Sequence, residues 1–101
     1  MDDIKELVND FLKQLEKDYK IVKEQILVLY KEAKNGIYLS ENEFELTLDI
    51  LLDYSLHVNV KEEFELLSSV YFNIYPYSIE SYKNDIENGI WFTKKVLISD
   101  I

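Results

Sequence analysis

A chain of 101 residues with no cysteine, one histidine, two glycines and one proline has room for a single hydrophobic core and no means of building a disulfide framework or a thiolate metal site. Apolar residues make up 48% and aromatic residues 14%, which separates it from disordered sequences, while a net charge of −9 repels nucleic acid and anionic lipid. All eleven basic residues are lysines, so bidentate arginine clamps on phosphate are excluded.

The first element is helical. Ile4, Leu7, Val8, Phe11, Leu12 and Leu15 recur at spacings of three and four, and Tyr19, Val22, Ile26, Tyr30 and Ala33 continue the stripe. Asn35-Gly36 predicts its C-terminal cap. The pattern allows one long helix or two, and a break near Glu16 to Lys20 is the preferred reading. The start, Met1-Asp2-Asp3, lacks the basic segment and apolar run of a signal peptide, and no window reaches the roughly 18 to 20 apolar residues of a membrane span. A soluble cytoplasmic protein is therefore expected, with residues 1–101 as one domain.

Ser40 followed by Glu43 is a capping-box pattern and predicts a second helix to about Leu56. Phe44, Leu46, Leu48, Ile50, Leu51 and Tyr54 cover more than half of its circumference, which predicts a central helix enclosed by its neighbours. Asn59 and Glu62 repeat the capping pattern, and Phe64, Leu67, Tyr71 and Ile74 line one face of a third helix that Pro76 should stop. Ser78 predicts the cap of a short fourth helix with Ile79, Tyr82 and Ile86 inward and Asn88-Gly89 at its end. Residues 90 to 101 read equally as a closing helix or an extended segment. The expected fold class is all-α, a small bundle of four to five helices.

Charge is distributed unevenly along these elements. Residues 37 to 70 hold Lys61 against eight acids, 1 − 8 = −7 of the total −9. Glu41, Glu45, Asp49 and Asp53 follow one another at i, i+4 in the second helix, and Glu62, Glu63 and Glu65 open the third. Each adjacent like-charge pair on a helix costs about 0.2 to 0.5 kcal/mol, and the helix dipole accounts for Glu41 and Glu43 but not for Asp49 or Asp53. These acids are the candidate contacts for a basic protein partner, with Tyr54, Tyr75 and Tyr77 as candidate aromatic anchors. An ordinary solvated helix face is the competing account.

His57 one turn after Asp53 suggests a base or metal site, but there is no second histidine and no HExxH spacing. Carboxylates on exposed helix faces have nothing to raise their pKa, and no glycine-rich phosphate loop is present. Neither catalysis nor a cofactor, metal or small-molecule substrate is expected, and direct nucleic-acid or membrane binding is disfavoured because the lysines are interleaved with acids.

The stretch Glu43-Phe44-Glu45-Leu46-Thr47-Leu48-Asp49-Ile50-Leu51-Leu52-Asp53, followed by Val58 and by Lys61-Glu62-Glu63-Phe64-Glu65-Leu66-Leu67, resembles small bacterial immunity proteins of the MafI type. It departs from that pattern at Asn42, Thr47 and Leu52, where Gly, Ala and Cys are usual, and at Val58 or Asn59, where Pro is frequent. The resemblance implies an immunity protein that neutralises a bacterial toxin, often an EndoU-like ribonuclease, by stoichiometric binding. A different class remains open: an acidic phage- or plasmid-encoded regulator that mimics nucleic-acid charge. Homo-oligomerisation is also open, since the aromatic residues around Pro76 could serve a second copy of the chain.

Overall fold

The structure, a computed structural model, describes the backbone from Asp2 to Ser99 and the side-chain surroundings of residues 4–87. Among the described residues four helices follow one another: α1 (Asp2–Lys34), α2 (Glu41–Tyr54), α3 (Lys61–Tyr71) and α4 (Pro76–Ser99). The fold is an all-α bundle, as expected.

α1 is one helix of 33 residues, without the break expected near Glu16 to Lys20. That stretch contains no glycine or proline, Gln14 Nε2 donates to Asp18 Oδ1 across it at 3.0 Å, and Tyr19 within it is buried. At 1.5 Å per residue the helix is about 50 Å long, and it sets the 52 Å long dimension of the molecule. Its end is a Schellman motif: the Gly36 N–H donates to Ala33 O at 3.0 Å and the Ile37 N–H to Glu32 O at 2.9 Å. Gly36 has φ +83°, a left-handed conformation that side chains with a Cβ adopt only under strain.

α2 opens with the capping box. Ser40 Oγ accepts from the Glu43 N–H at 3.2 Å, and the Glu43 carboxyl group accepts from the Ser40 N–H at 3.4 Å. Phe44, Leu48 and Leu51 are fully buried, but Leu46 and Ile50 lie at the surface. The expected enclosure of α2 is thus incomplete: α4 packs along one side, Tyr71 of α3 stacks on Phe44 and Tyr19 of α1 meets Tyr54, but part of its apolar circumference meets solvent.

α3 begins differently from its sequence signal. Val60 takes the cap position with no side-chain cap bond, and its side chain is spent on the core. Asn59 Oδ1 instead accepts from the Lys61 N–H at 3.0 Å. α3 ends at Tyr71, before Ile74, in a turn where the Ile74 and Tyr75 N–H groups both donate to Tyr71 O. Pro76 is the first residue of α4, the helical position where a missing N–H is harmless. Ser78 does not cap that helix, and α4 continues through Gly89 to Ser99, so the short helix expected to end at Asn88-Gly89 is a long one. The last two residues of the ambiguous tail, 100 and 101, lie outside the described residues.

The core joins Tyr19, Ile26 and Ala33 of α1 to Phe44, Leu48 and Leu51 of α2, Phe64, Leu67 and Tyr71 of α3 and Ile86 of α4. Its aromatic centre is the Phe44–Tyr71 stack, with ring centroids 4.3 Å apart, flanked by Tyr75 and by the edge of Tyr38. Leu39 in the α1–α2 loop is pinned there. Its N–H donates to Tyr71 Oη and its carbonyl accepts from Tyr75 Oη, each at 2.8 Å. Burial raises the Tyr71 pKa above its ordinary value, opposed by the Leu39 N–H that favours the charged form. The two tyrosines thus clamp the loop that delivers Ser40 to the start of α2.

Candidate partner-binding surface

The i, i+4 spacing of Glu41, Glu45, Asp49 and Asp53 places them in an oblique row along α2. α4 packs beside that row and supplies two hydroxyl groups to it. Ser78 Oγ, itself buried, donates to Glu45 Oε1 at 3.0 Å, and Tyr82 Oη donates to Asp49 Oδ1. The bond to Asp49, burial and the Asp49 and Glu45 charges together push the Tyr82 hydroxyl up to about 12. Glu45 and Asp49 therefore join α2 to α4, a structural role that sequence spacing did not show. Glu41 and Asp53, at the two ends of the row, are exposed.

Leu46 and Ile50 stand next to Asp49 and Asp53 on the same solvent-facing side of α2. At about 100° per residue, Leu46 falls within roughly 20° of Asp53 on the helical wheel and Ile50 about 60° from it. The face is therefore mixed, acidic and apolar together. Sequence reasoning missed this because it assigned both residues to the core, and only the placement of the neighbouring helices returns them to the surface.

The acids of α3 do not extend the row. Glu63 is the correction: it is 3% exposed and accepts a hydrogen bond from Tyr19 Oη across the α1–α3 contact. Burial, followed by that bond, raises the Tyr19 pKa far above its ordinary value. Glu63 is thus a core acceptor and is removed from the surface available to a partner. Glu62 and Glu65 are exposed on opposite flanks of α3. Glu62 lines a groove of about 340 Å³ with Lys20 and Lys23 of α1, whereas Glu65 lines a cleft of about 270 Å³ with Ile79 and Lys83 of α4. Glu62 thus has two lysines beside it, whereas the Glu65 cleft holds one lysine and a second acid, Glu87.

The aromatic candidates separate in the same way. Tyr75 is half-buried, bonded to the Leu39 carbonyl and tilted against Phe44, and Tyr54 is half-buried against Tyr19 with ring centroids 5.2 Å apart. Both are packing residues in this fold. Tyr77 is 89% exposed and precedes Ser78, the residue that reaches Glu45, so it stands beside the acidic row. His57 is exposed and meets the edge of Phe11, not Asp53, in an aromatic contact with centroids 6.2 Å apart.

Among the described residues, no group of three or more His, Cys, Asp or Glu is placed to hold a metal ion, and no helix is long and apolar enough to cross a membrane. No family model, curated protein or solved structure matches this chain.

Proposed function

We propose that this chain is a cytoplasmic immunity protein that binds a basic toxin, of the EndoU-like ribonuclease kind, through the exposed face of α2 and blocks it stoichiometrically without chemistry of its own. The observation that carries the reading is the mixed surface of Leu46, Ile50 and Asp53 beside Asp49, with Tyr77 at the other end. Acids attract a nuclease whose own surface is basic because it must bind phosphate, and exposed apolar side chains supply contact area once the two meet. The apolar component adds contact area that charge mimicry alone does not supply, which supports a dedicated protein interface.

Fixation of Glu45 and Asp49 by α4 suits this role. Two of the four acids are held before binding, so less side-chain entropy is lost when the partner arrives. The resemblance of residues 43 to 67 to MafI-type immunity proteins points to the same class.

The test is a titration of the chain into the ribonuclease activity of purified EndoU-like toxin domains. Loss of activity at one-to-one stoichiometry supports the reading. Full activity in the presence of a molar excess rejects that pairing, and capture of a DNA- or RNA-handling protein instead would support the charge-mimic class.

A further inference from the structure

Among the described residues, the first three turns of α1 present an apolar stripe with little laid against it beyond the His57 contact to Phe11. Ile4, Leu7, Val8, Phe11 and Leu12 are all exposed, Leu7 by 69% and Phe11 by 58%. The stripe lies on the same side of α1 that carries Tyr19, Ile26 and Ala33 into the core farther along the helix. α3 covers the C-terminal half of that side and not the N-terminal half.

We propose that this stripe is the interface of a homodimer, in which the first half of α1 packs antiparallel against the same segment of a second copy. The inference does not rest on the toxin-binding reading. Size supports it first. The five side chains expose about 500 Å² per chain, so pairing removes on the order of 1,000 Å² of apolar surface from water, the area at which specific interfaces begin. A patch of that size is also at the upper end of what monomers leave exposed.

Charge identifies the occupant. Residues 4 to 18 carry Lys5, Lys13 and Lys17 against Glu6, Asp10, Glu16 and Asp18, 3 − 4 = −1, so this end of the molecule gives a strongly basic partner little to prefer over the acidic region of residues 37 to 70. It is instead self-complementary. Lys5 and Glu16, both exposed, are eleven residues apart and therefore fall within about 20° of each other on the wheel, on one flank of the stripe. Antiparallel pairing centred between them lays Lys5 of each copy beside Glu16 of the partner subunit, twice over, as a two-fold interface requires.

Direction follows from the rest of the charge. A parallel pair would set two acidic bundle bodies side by side. The antiparallel pair places them at opposite ends of the shared helices, with the α2–α3 loop, whose His57 meets Phe11, as their point of nearest approach. The α2 face stays open in each copy.

Sedimentation of the purified full chain across a wide concentration range tests this, with no toxin present. The expected result is a species of twice the chain mass. Leu7→Glu combined with Phe11→Glu should weaken the dimer by at least about tenfold, with helical circular dichroism retained because both sites are exposed in the single chain. Lys5→Glu and Glu16→Lys should each weaken it by about threefold, and the double exchange should restore it; for scale, each tenfold change in dissociation constant is about 1.4 kcal/mol. Two results overturn the proposal: a monomer at every concentration, whether or not the Leu7 and Phe11 changes lower its thermal stability, or a dimer indifferent to those changes.

Discussion

Tyr82 of α4 donates its hydroxyl hydrogen to the carboxylate of Asp49 on α2, so that one member of the acidic row is also a point of helix–helix attachment. Replacing Tyr82 with Phe keeps the ring and removes the bond. The expected loss is about 0.5 to 1.5 kcal/mol of unfolding free energy, near the lower end because Asp49 reaches water. Urea denaturation measures it, and an unchanged midpoint would show that the bond contributes nothing to folding.

The same bond gives a pH signature. The Tyr82 hydroxyl titrates at about 12 in the folded chain, above the 10.0 of an unperturbed tyrosine. Its stabilising contribution is complete below the unfolded value and is lost as pH rises through the folded one. Stability should therefore fall between about pH 10 and 12, and fall less steeply in Tyr82→Phe. Tyr19 is shifted in the same direction, chiefly by burial, so Tyr19→Phe should flatten the remaining alkaline loss further. Equal slopes in all three proteins would contradict the assignment.

Tyr19 and Glu63 form the second attachment, between α1 and α3. Tyr19→Phe leaves a buried carboxyl group without its hydroxyl donor and should cost about 1 to 3 kcal/mol. Glu63→Gln keeps an acceptor for Tyr19 and should cost less. The reverse order in chemical denaturation would show that Glu63 is not held as the structure describes.

The core and the exposed aromatic residue at Tyr77 predict opposite outcomes for equally drastic truncations. Phe44→Ala removes a fully buried ring stacked on Tyr71 and should cost about 3 to 5 kcal/mol, a large part of the stability of a domain this size. Tyr77→Ala, at 89% exposure, should stay within about 0.5 kcal/mol of the parent. Thermal melts of the two variants check both values, and under the functional proposal Tyr77→Ala weakens partner binding while leaving the fold intact.

Local signals in this chain were legible wherever a single side chain settles a backbone need. Ser40 with Glu43 marks the start of α2, and Gly36 the end of α1, because each satisfies orphan helix groups through residues adjacent in sequence. Signals that depend on a neighbouring helix were not. Glu63 reads as one more acid in Lys61-Glu62-Glu63-Phe64-Glu65, and nothing nearby in the chain announces that Tyr19, 44 residues earlier, will receive it. Leu46 and Ile50 read as core for the converse reason: periodicity reports how apolar a face is, not whether another helix arrives to cover it. The continuity of α1 and the passage of α4 through Gly89 reflect helix propagation, which tolerates a residue or two of weak propensity once the helix is established.

The functional account depends on the α2 face more than on any other feature, and the most direct measurement is the rate of association with the EndoU-like ribonuclease domain that the titration proposed above finds the chain to inhibit, at low and at physiological salt. Glu41→Lys with Asp53→Lys reverses the two exposed ends of the row without touching the carboxylates bonded to α4. The account predicts fast association at low salt, a decline with added salt, and a reduction of about tenfold or more in the variant at unchanged folding stability, since rim charges act mainly on the on-rate. Binding whose rate is indifferent both to salt and to the two reversals would contradict it.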